Sequence, residues 1–168
     1  MTLDILNNLP LKQLRLELCK CCGSSKWIKE MTRLLPFENL EQIKQNAMDV
    51  WETCSEVDWL EAFSYHPRIG EKEIEEKFSS TAGFAKNEQA AVGQASKKVI
   101  SELAELNNTY FQKFGFIFII FATGKSAQEM LLELKIRIKN ERETEIKIAA
   151  DEQLKITLLR IEKMLNKQ

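Results

Sequence analysis

Along most of the chain, apolar residues recur three and four positions apart with polar residues between them, the period of helices that bury one face. Leu9, Leu11, Leu14, Leu16 and Leu18 in LPLKQLRLELCKCC mark a first helix. SKWIKEMTRLLPF predicts a short second one stopped by Pro36, because proline has no N–H to donate and disfavours helix in the residue before it. A third starts at Asn39, whose side chain can cap it, with Glu41 and Gln42 in its first turn. A fourth, SEVDWLEAFSYH, has Ser55 as its cap, turns Trp59, Leu60 and Phe63 inward, and stops at His66 because Pro67 follows.

Beyond a polar stretch containing Gly70 and Gly83, a long helix is expected from about Asn87 to Lys113. GFIFIIFATG then breaks the period. Its β-branched and aromatic run predicts extended or irregular buried backbone ending at Gly124. Ser126 opens the next helix with Glu129 completing a capping box. The last helix, from about Glu141 to Leu165, carries Ile146, Ala149, Ala150, Leu154, Leu158, Ile161 and Leu165 along one stripe, with its many charges forming a solvated face around it. Neither an internal repeat nor a low-complexity linker is visible. The fold class predicted is all-α: one helical bundle of about seven to nine helices spanning 1–168, with one short irregular buried segment.

At 168 residues and 44% hydrophobic, the chain is long enough for one core and short for two domains. Its 24 basic and 25 acidic residues leave a net charge of −1, without the basic surplus that tracks a phosphate backbone, so nucleic acid is not an expected partner. MTLDILNNLPLKQLRLELCK mixes charges into its apolar positions, unlike a signal or transit peptide. The most apolar run, Phe114 to Ala122, is roughly half the length that a membrane-spanning helix needs. The terminal MLNKQ lacks a Ser-Lys-Leu type address, and cytoplasm is the expected location.

Cys19, Cys21, Cys22 and the distant Cys54, with a single histidine, do not form the two spaced ligand pairs of a structural zinc site. No metal is expected, and the thiols read as reduced and mostly packed away.

Three places could carry chemistry. His66 is the only histidine and sits on the turn that Pro67 imposes, where an imidazole can project into a pocket and exchange a proton near neutral pH. A surface or capping histidine is the commoner role of such a residue. Glu88 and Gln89, in NEQAAVGQA, fall in the first turn of the long helix, where the dipole favours a carboxylate and spare N–H groups can meet an anion; helix capping alone would also select them. Arg160, among Leu158, Leu159 and Ile161, is placed to pair with a carboxylate or simply to snorkel from the core edge.

Taken together, WLEAFSYHPRIGE, STAGFAKNEQAAVGQ, FGFIFIIFATGKSAQEML and LLRIEKML resemble, in order and spacing, the 2-oxo-4-hydroxy-4-carboxy-5-ureidoimidazoline (OHCU) decarboxylase family of uric acid degradation. The similarity covers most of the chain, and HPRIGE is its specific part. The resemblance implies an all-helical, cofactor-free carboxy-lyase, typically a homodimer, that turns its small-molecule substrate into S-allantoin and carbon dioxide in purine breakdown. It implies that His66 and Glu88 are catalytic, that Gln89 and Arg160 bind substrate, Arg160 through a carboxylate, and that Pro67 with the backbone of Ile119, Ile120, Phe121 and Ala122 forms the pocket wall. Family members often have serine three residues before the glutamate, where this chain has Ala85, so one hydroxyl contact to substrate is absent and capping passes to Asn87. Two other readings share these residues: a catalytically silent helical interaction module, and a sister decarboxylase for a related ureido or imidazolone acid.

Overall fold

Helices supply all the regular structure among the described residues, which in this computed structural model are 1–66 and 88–165, with side chains from 97 onward in the second stretch. They are α1 (Leu3–Asn7), α2 (Leu11–Cys21), α3 (Ser25–Arg33), α4 (Leu40–Glu52), α5 (Glu56–Ser64), α6 (Glu88–Phe114), α7 (Ala127–Arg137) and α8 (Arg142–Leu165). None is long and apolar enough to cross a membrane among the described residues.

The caps foreseen at Asn39, Ser55 and Ser126 are built, while Asn87 lies outside the described residues. Asn39 Oδ1 accepts from the Gln42 amide at 2.8 Å, and Asp58 accepts from the Ser55 backbone N–H at 2.7 Å. At Ser126 the box is reciprocal: Glu129 N–H donates to the serine hydroxyl at 3.2 Å, and the Glu129 carboxylate accepts from the Ser126 amide at 2.7 Å. Ser24 caps α3 in the same way, through the Trp27 amide at 3.2 Å. The sequence pattern did not reveal α1, whose five residues are too few to display a period. It is fastened by Asn7, whose side-chain amide exchanges hydrogen bonds with the backbone of Phe37 at 2.8 and 2.9 Å.

The chain packs as two units, Met1–His66 with Ile146–Gln168, and Pro67–Glu145. In the first, α3 lies against α2, α4 and α5. Leu6, Leu14, Leu18, Trp27, Met31 and Ile43 are among its fully buried side chains, each contributing about 1.5–3 kcal/mol by leaving water. Two of its indoles are satisfied, Trp27 Nε1 donating to the Ala47 carbonyl and Trp51 Nε1 to the Ala150 carbonyl, each at 3.1 Å, while the buried Nε1 of Trp59 meets no acceptor among the described residues. On α5, Phe63 is buried as expected, with Ala62 beside it, while Trp59 and Leu60 are only half-buried.

The stripe on α8 is rotated from the apolar expectation. From Ile146 onward its buried positions are Ile146, Ala149, Ala150, Gln153, Thr157 and Ile161, whereas Leu154, Leu158 and Leu165 are half-buried. Two polar residues occupy the inward line because their hydrogen bonds are met there, as the site shows.

In the second unit α6 packs on α7. Between them the chain from Gly115 to Lys125 is irregular and largely buried, as its composition predicted. Gly115 and Gly124, at φ +78° and +80°, bracket it in the left-handed region that side chains disfavour. Tyr110, Phe114, Phe116 and Phe118 cluster there, with Tyr110 edge-on to Phe116 and Phe118 at 5.8 and 5.2 Å. Beneath the cluster Glu145 accepts hydrogen bonds from the Tyr110 hydroxyl (2.5 Å), Arg137 Nε (2.8 Å) and Asn140 Nδ2 (2.7 Å). The charged face expected on the last helix therefore has one exception, a fully buried glutamate.

Candidate active site

His66 follows the end of α5, where the helix closes through a hydrogen bond from its own N–H to the Phe63 carbonyl at 3.1 Å. The helix ends at Ser64 with Tyr65 as its C-cap. The half-buried ring reaches α8, with Nε2 2.6 Å from Oε1 of Gln153. Burial holds His66 below the usual histidine range; the Gln153 bond opposes that shift and the Arg160 charge reinforces it. At neutral pH the ring is therefore uncharged and has a lone pair to accept a proton.

Arg160 lies on α8 two turns beyond Gln153, and its influence on the ring puts it in the electrostatic neighbourhood of His66. Its Nη1 donates to the carbonyls of Lys20 and Cys21 at 3.3 and 3.4 Å, at the C-terminal end of α2, where helix carbonyls lack helical partners and carry partial negative charge. That anchor fixes one edge of the guanidinium. A groove of about 810 Å³ runs past it, with Cys19, Lys20, Cys21, Tyr65, Arg160 and Lys163 among its lining residues. The thiol of Cys21 is pushed up to about 12 by burial, and Arg160 lowers it only in part, so no thiolate neutralises the guanidinium at neutral pH.

Tyr65 is seated against Gly23 so closely that a Cβ there would lie 2.3 Å from its Cγ. The glycine after the CKCC run thus sets the position of the residue next to His66. Three of the four cysteines are buried and all four are free thiols. Among the described residues no group of three or more His, Cys, Asp or Glu side chains could hold a metal ion.

Of the residues singled out in the sequence, His66 and Arg160 both belong to the first unit, where the Arg160 charge acts on the imidazole. Glu88 and Gln89 open α6 in the second, and their side chains lie outside the described ones, as do Pro67 and Ala85 altogether. Ile119 and Ile120 are buried, and Phe121 and Ala122 half-buried, in the irregular segment of that second unit. The Ile119 carbonyl accepts from Arg137 Nη1 at 2.8 Å, which clamps the segment from below. Sequence reasoning missed Gln153 and Thr157. Their signal was present: two polar residues four apart on the line that Ile146, Ala149, Ala150 and Ile161 define.

The profile of the OHCU decarboxylase family matches residues 7–162. Over 148 residues the chain is 44% identical to the uric acid degradation bifunctional protein TTL of Arabidopsis thaliana, covering 87% of this chain and 45% of that protein. It is 25% identical over 138 residues to a 2-oxo-4-hydroxy-4-carboxy-5-ureidoimidazoline decarboxylase of Haloferax volcanii, covering 82% of this chain and 80% of that one. Among solved structures, an OHCU decarboxylase crystallised in the presence of (S)-allantoin superposes with a TM-score of 0.73 at 37% identity, covering 90% of this chain and 98% of that one. The chain spans less than half the length of the bifunctional relatives it matches, 45% of the Arabidopsis protein and 32% of the one from Bacillus subtilis.

Proposed function

Because the chain belongs to the OHCU decarboxylase family, we propose that it removes carbon dioxide from 2-oxo-4-hydroxy-4-carboxy-5-ureidoimidazoline to give S-allantoin in urate breakdown. The observation that carries this reading is the family match running from 7 to 162, which takes in a His66 whose ring is kept neutral by burial and an Arg160 anchored on the end of α2. The same match runs through both units, which supports treating 1–168 as one functional domain.

Breaking the carbon–carboxylate bond leaves an electron pair that the neighbouring imidazolone carbonyl takes up as an enolate, and a proton must then reach that carbon from one face. The chemistry asks for an oriented carboxylate, a proton acceptor for the substrate hydroxyl, and donors for the developing oxyanion. Arg160 orients the carboxylate, with its guanidinium held at the end of α2. His66 and Glu88 handle the hydroxyl proton and polarise the ring. Gln89 and the backbone of the 119–122 segment hold the ureido and carbonyl groups, with Pro67 at the wall and Ala85 leaving out one hydroxyl contact. No cofactor enters this scheme. The working form is a homodimer in the cytoplasm, which sedimentation of the purified protein and imaging of a tagged one would check.

The test is circular dichroism of protein supplied with freshly generated substrate. Wild type should build an optically active allantoin signal, and His66→Asn should lose turnover by about 10²-fold or more. Wild type no faster than spontaneous decay to racemic allantoin would overturn the reading and favour a silent helical module; turnover of a related ureido acid instead would favour a sister enzyme.

A further inference from the structure

A short relay on α8 reaches the ring of His66. Gln153 and Thr157 lie one turn apart and both are buried. Thr157 Oγ1 is 3.0 Å from the Gln153 backbone carbonyl, which can only accept, so the hydroxyl proton is committed there. The same oxygen is left to accept from the Gln153 side-chain amide, 3.2 Å away. With its NH2 turned to Thr157, Gln153 presents its amide oxygen to His66, and that oxygen lies 2.6 Å from Nε2. An amide oxygen donates nothing, so the hydrogen in this contact belongs to the imidazole.

We infer that Gln153, oriented by Thr157, is a positioning residue that fixes His66 in its Nε2–H tautomer and so directs the lone pair of the neutral ring, on Nδ1, to the reaction. The reaction referred to is the proposed decarboxylation, and the inference rests on that reading for its catalytic consequence only. Two pulls on the ring act in opposite directions: burial and the Arg160 guanidinium, also on α8, favour the neutral form, while the Gln153 oxygen favours the protonated one. A ring free to flip would divide between two tautomers, of which one presents the wrong nitrogen.

His66 is the only histidine in the chain, so nitrogen NMR of uniformly labelled protein displays a single imidazole. Above the pKa of the ring, the expected spectrum has a hydrogen-bearing Nε2 and an unprotonated Nδ1. An Nδ1–H ring, or an average of the two forms, would overturn the inference whether or not the protein is a decarboxylase. The second arm is the pH dependence of kcat/KM. Gln153→Glu supplies an anionic acceptor and should move the acid limb to higher pH; Gln153→Leu removes the acceptor and should move it to lower pH, with kcat down about 10- to 100-fold as the ring loses its fixed orientation. Loss of packing lowers rates without opposite shifts, so equal losses with an unmoved limb would sink the idea. Should the wild type show the Nε2–H spectrum but no turnover of the ureidoimidazoline, the functional reading falls and the positioning stands.

Discussion

Glu145→Gln is the most informative change in the second unit, because it removes a charge and almost no volume. The carboxylate is fully buried and accepts from Tyr110, Arg137 and Asn140. Its main partner, the Arg137 guanidinium, is 5% exposed, lies 4.6 Å from the Phe118 ring, and holds the Ile119 carbonyl through Nη1. In the variant that buried guanidinium loses the counter-charge it has among the described residues. One glutamine cannot accept from all three donors either, since its NH2 must face one of them. Removing one partner of a buried ion pair costs about 3–5 kcal/mol. Set against a total stability of about 5–15 kcal/mol, that is about a fifth or more of the whole, and it corresponds to a fall of about 6–20 °C in Tm. Arg137→Met, which fills the same space without charge, should be similarly harmful alone. Combined, the two changes should cost clearly less than their sum, because neither charge is then stranded. Urea unfolding followed by far-ultraviolet circular dichroism measures all four corners of the cycle. Additive costs, or a Glu145→Gln variant within about 1 kcal/mol of wild type, would refute the account of a buried, mutually dependent pair.

Three further outcomes follow from the first unit. Gly23→Ala places a methyl 2.3 Å from Tyr65 Cγ and 2.7 Å from its Cβ, so the residue beside His66 must shift; a loss of about 1–3 kcal/mol and of turnover is expected, and Gly23→Ala with Tyr65→Gly, which removes both of those atoms, should cost less than the two changes summed, a difference that urea titration detects. Because the folded pKa of His66 lies below its unfolded value, the unfolded chain binds more protons between the two, and stability falls as pH drops through that window and levels off below it; His66→Gln should flatten this part of a thermal-melt profile against pH. With Cys21 and Cys22 pushed up to about 12 and Cys54 to about 11 by burial, alkylation at pH 8 should consume the half-exposed Cys19 first and the other three only in denaturant, as mass spectrometry of the peptides would show.

Most helices were legible because each announces itself locally. Asn39, Ser55 and Ser126 sit where a cap is needed, Pro36 and Pro67 where a helix must end, and Gly115 and Gly124 where a side chain would be strained. None of this requires knowledge of distant partners. The buried glutamate was illegible for the opposite reason. Glu145 stands in a run of charges on α8 and differs from its neighbours through Tyr110, 35 residues upstream, Arg137, eight upstream, and Asn140, five upstream. Nothing in its local sequence distinguishes a satisfied carboxylate from a solvated one.

The site divides along the same line. His66 was visible because it is unique and precedes proline, and Arg160 because a charge stands among leucines. What links each of them to the other is the helical register of α8, through Gln153 on one side and the Arg160 charge on the other. From the buried Ala149, steps of four reach Gln153, Thr157 and Ile161, and Arg160 falls beside the last of these, so one face of one helix carries the relay to the imidazole, the guanidinium near it and the core anchor. A purely apolar reading of that helix chose Leu154 and Leu158 and so turned the stripe by one residue, hiding the two polar positions. A buried polar group persists only where its hydrogen bonds are met, and Gln153 and Thr157 meet theirs through each other and through His66. The interruption of an apolar stripe by two hydrogen-bonding residues at helical spacing is therefore the local mark of a side chain arriving from elsewhere in the fold, and here that side chain is the histidine.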